Sequence, residues 1–240
     1  MAVAFVLFGL AIVHVVPFRF QPTGESGAEH DGPTDVAQRR LGFAFRRDWA
    51  PLIAIDLLYI AHWGVIVAFL PQRAEAAGAN IGLFFVADGI AILLSRMPSG
   101  WLADRIPPLF LIIAGLAATG IAVLVLTLPP TTPLLMFAGT LTGLGGGLVI
   151  TPMLVEISRR SRDADRGSAF ALFSAANASA LAIGSIGGAI VLERFGFEGA
   201  MLATLAGITG AAVLALLDRG LRRQPTPIES ASTPLAEPEL

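Results

Sequence analysis

The stretch "SRMPSGWLADRIPP", residues 95–108, sets two arginines and an aspartate into a chain that is otherwise mostly apolar. Apolar runs of spanning length lie on both sides of it. An arginine, a glycine four residues on and then an Asp-Arg pair make Arg96-x-x-x-Gly100-x-Leu102-x-Asp104-Arg105. Pro107 and Pro108 follow and read as the start of the next helix, where a missing N–H costs nothing. The reading of this turn depends on what surrounds it.

The surroundings are a membrane protein by composition. Of 240 residues 55% are hydrophobic and 14% charged, against about a quarter charged in a soluble domain. The mean hydropathy is +0.73. The net charge of −2 distinguishes no class of partner. All 16 basic residues are arginine, a bias that fits a GC-rich bacterial genome. There is no cysteine, hence no disulfide framework and no thiolate metal site. No P-loop, dinucleotide fingerprint, H-E-x-x-H or G-x-S-x-G pattern occurs. The expectation is no enzyme, no metal and no cofactor.

Runs long enough to cross about 30 Å of hydrocarbon occur at Trp49–Leu70, Ile81–Ala103, Pro108–Leu128, Thr132–Val155, Ser168–Leu192 and Gly199–Leu217. A shorter run at 2–16 reads as the end of a further span. Neither a basic residue before it nor a small-residue cleavage site after it supports a signal peptide. His14 near its end is expected at an interface. The expected fold is an all-α polytopic membrane protein with about seven transmembrane helices. Its domains are a partial span over 1–17, a polar linker over 18–47, a six-helix bundle over 48–218 and a disordered tail over 219–240.

Arginines alternate between the two sides. The linker holds Arg19, Arg39, Arg40, Arg46 and Arg47, and the same side receives Arg105, Arg159, Arg160, Arg162, Arg166, Arg219, Arg222 and Arg223. The other side holds Arg73 and Arg194. By the positive-inside rule the linker and C-terminus are cytoplasmic, in a bacterial inner (plasma) membrane, with Met1 outside. An odd number of spans with a short first one gives the expectation that earlier membrane helices are absent from this chain.

A charge within a span costs about 2.5–3.5 kcal/mol on insertion scales, so such residues mark function or pairing. The candidates are Asp56 and His62 in one span, and Asp88 and Arg96 in the next. Asp56 and Arg96 each lie seven residues from the Arg-rich end, about 10 Å deep. His62 and Asp88 lie at a similar level from the other end. If the two spans are neighbours, two rungs result, Asp56 with Arg96 and His62 with Asp88. Glu156 offers Arg96 a second carboxylate. Such groups can couple transport to protons or contact substrate, because a carboxylate or imidazole changes charge as its surroundings change. They can equally be a structural pair neutralising buried charge. Asn177 is a further polar residue mid-span. Gly139, Gly143 and Gly147, four apart, and Gly184, Gly187 and Gly188 form small-residue stripes that favour close helix packing. Asp104, Arg105, Arg96 and Glu156 form a candidate cluster at the cytoplasmic face.

At Arg96, Gly100, Leu102, Asp104 and Arg105 the chain resembles the major facilitator superfamily of secondary transporters, in its C-terminal-half version of the signature. The stretch "RGSAFALFSAANASALAIGSIGGAI", residues 166–190, is similar to that family's eleventh helix. The resemblance implies the end of helix six, the central loop and helices seven to twelve, with six spans forming one half-bundle of two inverted three-helix repeats. It implies a cytoplasmic gate built on Arg96, Gly100, Asp104, Arg105 and Glu156, and a substrate cavity shared with an N-terminal half. The departure is Pro107 and Pro108, where the family continues with glycine and basic residues. The resulting expectation is transport of a small organic molecule, as proton-coupled efflux by an antiporter driven by the proton gradient, with Asp56, His62, Asp88 and Asn177 as coupling or substrate residues. Alternatives are a sugar or organic-anion carrier, in which Arg96 binds the anion, and a non-transporting fragment or assembly partner of another membrane half.

Overall fold

Proline opens three of the long helices at positions where its missing N–H would have no partner. In the computed structural model, which describes residues 49–161, 166–218 and 221, these are α1 (Ala50–Ala76), α3 (Pro108–Thr127) and α4 (Thr132–Arg160). The helix α2 (Ile81–Ala103) starts instead on Asn80, whose side chain accepts a hydrogen bond from the Gly82 N–H at 3.0 Å. The last helix, α5 (Arg166–Leu217), runs to a break at Gly196, where φ is 69° and ψ −176°. That backbone conformation is open essentially to glycine alone. The break divides α5 into a first limb, 166–195, and a second limb, 197–217.

Among the described residues there are five helices long and apolar enough to cross a membrane, and α5 supplies two spans joined at the break. The six apolar runs over 49–217 are therefore all helical, but several helices outlast them. α1 continues past Leu70 to Ala76 and α4 past Val155 to Arg160. Hydropathy ends where charge begins, whereas a helix keeps its own backbone bonds and needs no oil to continue. The segments expected over 1–17 and 18–47, with His14, lie outside the described residues, as does the tail apart from Leu221.

Packing does not follow chain order. α1 lies along the first limb of α5, and α2 lies along α4. α3 packs on α4 and on the second limb, which also touches α1 at Leu58. Exchanging α1 with α4, α2 with the first limb and α3 with the second limb maps this set of contacts onto itself. This is the internal repeat of two three-helix units. Both principal seams are parallel and built on glycine. A Cβ on Gly139 would strike the carbonyl of Phe84, one on Gly143 that of Asp88, and one on Gly147 the Ser95 hydroxyl. In the related seam Gly184 abuts Ala61 and Gly64 abuts Leu181. Without side chains between them the backbones approach closely enough for serines to hydrogen-bond across. Ser99 Oγ donates to the Gly147 carbonyl at 3.0 Å, and Ser185 Oγ to the Gly64 carbonyl at 3.1 Å.

The buried centre holds Leu52, Ile55, Ile66, Ile112, Leu116, Leu135, Met153 and Ile157. The outer surface is apolar too. Leu93, Met97, Ile186 and Phe195 are all exposed, Met97 at 84%. Apolar groups both inside and outside are what a lipid solvent permits and water does not.

Candidate functional site

Because α1 and α2 diverge, a pocket of about 300 Å³ opens between them, floored by α4 and edged by the first limb of α5. Its polar lining is Tyr59, His62, Asp88, Arg96, Thr142 and Asn177, with Trp63 as the largest apolar wall. The expected packing of α1 directly against α2 is therefore corrected. The two meet through the rings of Trp63, Phe84 and Phe85, while glycine seams draw each to a different partner. Neither rung forms as a direct contact.

Asp56 is fully buried, and Asn177 Nδ2 donates to its Oδ1 at 3.5 Å. Helix α5, not α2, holds this carboxylate. Its Oδ2 has no partner among the described residues. His62 is 2% exposed, and its Nδ1 is engaged by the Tyr59 carbonyl one turn back. That leaves Nε2 buried without a partner. Asp88 is 6% exposed with Oδ1 likewise unpartnered. The second rung thus survives only as two residues sharing one pocket. Arg96 is exposed on the pocket wall and has no ion pair among the described residues. The expectation that it is buried and needs Asp56 or Glu156 is corrected.

Tyr59, Trp63 and Thr142 escape a search for charges in spans. Tyr59 lies three residues after Asp56, and Trp63 four after Tyr59, so helical periodicity from Asp56 is the signal that leads to these two, whereas Thr142 enters from α4. Tyr59 fixes the back of the site through its hydroxyl, 3.3 Å from Thr119 Oγ1 on α3. Thr119 in turn donates to the Gly115 carbonyl at 3.0 Å.

At the Arg-rich end the charges pair differently from the expected cluster. Asp104 takes Arg159, at 2.9 Å. Glu156 takes Arg160 one turn later, at 2.7 Å, and Arg160 also binds Asp218 at 3.0 Å. Arg105 lays its guanidinium over the Trp101 ring, 3.6 Å from the centroid, a cation–π contact. Gly100 faces Thr151 of α4, its added Cβ 3.9 Å from Cγ2. Arg159 and Arg160 had read only as topology signals. They are the cations that the acidic residues of this end use. The Arg160 group ties the end of α4 to the end of α5, and Trp49 Nε1 donates to the Arg160 carbonyl at 3.5 Å, bringing in the start of α1. At the opposite end Arg73 donates to the Thr127 carbonyl at 3.2 Å and covers the Phe197 ring just past the break.

Comparison with known proteins places this geometry. Two crystal structures of a mutant of the peptide transporter POT are similar in fold. The one in complex with alafosfalin matches with a TM-score of 0.64 and 16% identity over 80% of this chain. The one in complex with sulfate matches with a TM-score of 0.61 and 15% identity over 76%. This chain spans 45% and 42% of those proteins, so it corresponds to less than half of their length. Residues 52–239 match the sequence profile of the Major Facilitator Superfamily. With that match across most of its length, this multi-pass membrane chain belongs to the major facilitator superfamily of transporters.

Proposed function

We propose that the chain is the C-terminal half of a proton-coupled transporter that exports a small organic molecule across the bacterial inner membrane. The observation that carries this is the open pocket, where among the described residues Asp88 and His62 each keep a buried polar atom without a partner and the Arg96 guanidinium has no ion pair. Buried ionisable groups in a membrane bundle are costly and cluster on substrate and ion paths. One wall of the pocket comes from this chain. In our reading an N-terminal half supplies the other, and rocking of the two halves exposes the pocket to each side in turn.

The Arg-rich end faces the cytoplasm in this reading, which also puts the central linker and the C-terminus there. Its ion pairs, Asp104–Arg159 and Glu156–Arg160–Asp218, act as the inner gate. Asp56 and Asp88 carry the proton, since a carboxylate whose surroundings change between two states can take up and release one. One observation favours an organic-anion carrier as a second reading, namely that Arg96 on the pocket wall has no ion pair among the described residues.

The test is solute accumulation in everted membrane vesicles from cells that make the chain together with its N-terminal half. A panel of fluorescent organic compounds should include one that accumulates on energisation and leaks out when a protonophore is added. Asp88→Asn should abolish this. Accumulation that ignores the protonophore would remove proton coupling, and no accumulation of any solute would favour an inert fragment.

A further inference from the structure

Asp88 and Arg96 stand on the same helix, eight residues apart, and line the same pocket. Opposite charges so placed usually find each other or a third group. Here they do not. No hydrogen bond or ion pair reaches the Asp88 carboxylate or the Arg96 guanidinium among the described residues. The nearby acids are already taken, Asp56 by Asn177 and Glu156 by Arg160. Eight residues of rise separate the two by about 12 Å along α2. Too far apart to close on each other, they leave one anionic and one cationic contact in a shared space.

The rest of the lining is graded in the same sense. Trp63 stacks on Phe84, one turn before Asp88, with ring centroids 6.3 Å apart. An aromatic wall beside a carboxylate suits an organic cation. Asn177 lines the pocket as well and adds neutral polar contact. A ligand bearing a single charge would leave the other protein charge desolvated and unpaired, which is penalised heavily.

We infer that this pocket is a site for an elongated zwitterion, with its ammonium group held by Asp88 beside Trp63 and its carboxylate or other anionic group held by Arg96. The ligand lies along α2 with its anionic end toward the Arg-rich face. This rests on the transport reading for its biological purpose but not for its chemistry. A short α-amino acid, with both charges on one carbon, cannot reach both ends. The separation selects compounds whose charges stand several bonds apart.

The experiment measures binding to the purified full chain, by calorimetry and by intrinsic tryptophan fluorescence, to which Trp63 on the pocket wall contributes. The probes are aminocaproate, its two singly charged counterparts caproate and hexylamine, and glycine as the short zwitterion. Aminocaproate should bind about tenfold or more tightly than each of the others, the worth of one charge-assisted contact. Asp88→Asn should abolish the preference of aminocaproate over caproate, with caproate binding at least as tightly as before, which also shows that the variant is folded. Arg96→Gln should likewise abolish the preference over hexylamine, with hexylamine binding at least as tightly as before, and Arg96→Lys should restore much of the preference.

Equal binding of all four probes would overturn the inference. So would absence of saturable binding by a chain whose helical content and melting are intact. If vesicle accumulation succeeds while aminocaproate shows no preference, the zwitterion site falls and transport stands. If aminocaproate binds as expected and no solute moves in vesicles, transport falls and the site stands.

Discussion

Asn177 on α5 donates to Asp56 on α1 at 3.5 Å, so the carboxylate nearest in depth to Arg96 is already engaged by a third helix. This contact decides how the charges in the membrane are shared. It anchors Asp56 to the α1–α5 seam and leaves Arg96 to the pocket.

Asn177→Leu should destabilise the chain by about 1–3 kcal/mol, because it leaves a fully buried carboxylate without its donor. Asp56→Asn in the same background should recover part of the loss. Thermal melting of the two single variants and the double variant in detergent measures the coupling. Additive effects would mean that the contact carries no energy.

The two ion-pair systems at the Arg-rich end should differ in worth. Arg160 and its partners Glu156 and Asp218 have side chains only 15%, 11% and 9% exposed. Arg160→Gln removes the cation that joins the Glu156 and Asp218 carboxylates, and should cost on the order of 3 kcal/mol. The Asp104 side chain is 59% exposed. Arg159→Gln should therefore change stability by less than about 1 kcal/mol. Melting temperatures of the two variants give the comparison directly.

Gly143→Ala should weaken the α2–α4 seam. The new methyl would strike the Asp88 carbonyl and lie 2.8 Å from Ala91 Cβ. Overpacking of this kind costs about 1–3 kcal/mol. Gly187→Ala is the control, since nothing lies within 4 Å of its added Cβ. It should melt at or slightly above the parent temperature.

Gly196→Ala isolates a backbone effect. No atom lies within 4 Å of the added Cβ, yet φ is 69°. The penalty of about 1–3 kcal/mol should appear as a lower melting temperature with helical content by circular dichroism unchanged. An unaltered melt would show that the two limbs of α5 can join another way.

Much of the fold was legible because each rule behind it is local. A run of apolar residues becomes a helix in lipid whatever its neighbours, since the backbone has no other way to satisfy its polar groups. Residues 168–192 and 199–217 could thus be read as two spans, while the Gly196 conformation that lets one helix continue into the next could not. The residues of the pocket were mostly legible for a similar reason. His62, Asp88 and Arg96 stand out against an apolar background, as does Asp56 outside the pocket lining, and Asn177 is conspicuous in mid-span. Their pairing was not legible. Equal depth gave Asp56 to Arg96, but depth is only one coordinate.

Composition, arginine placement and the Arg96–Arg105 motif thus determine by themselves that this is a helical membrane chain, where its spans lie and which family it resembles. Only the tertiary structure decides which helix neighbours which. Gly139 and Gly143 pull α4 onto α2, and Gly64 and Gly184 pull α5 onto α1, so consecutive helices part and the pocket opens. The physical reason is that in lipid the apolar surfaces of all helices are nearly equivalent. Close backbone approach between small residues then chooses the partner, and that choice depends on surfaces far apart in the chain.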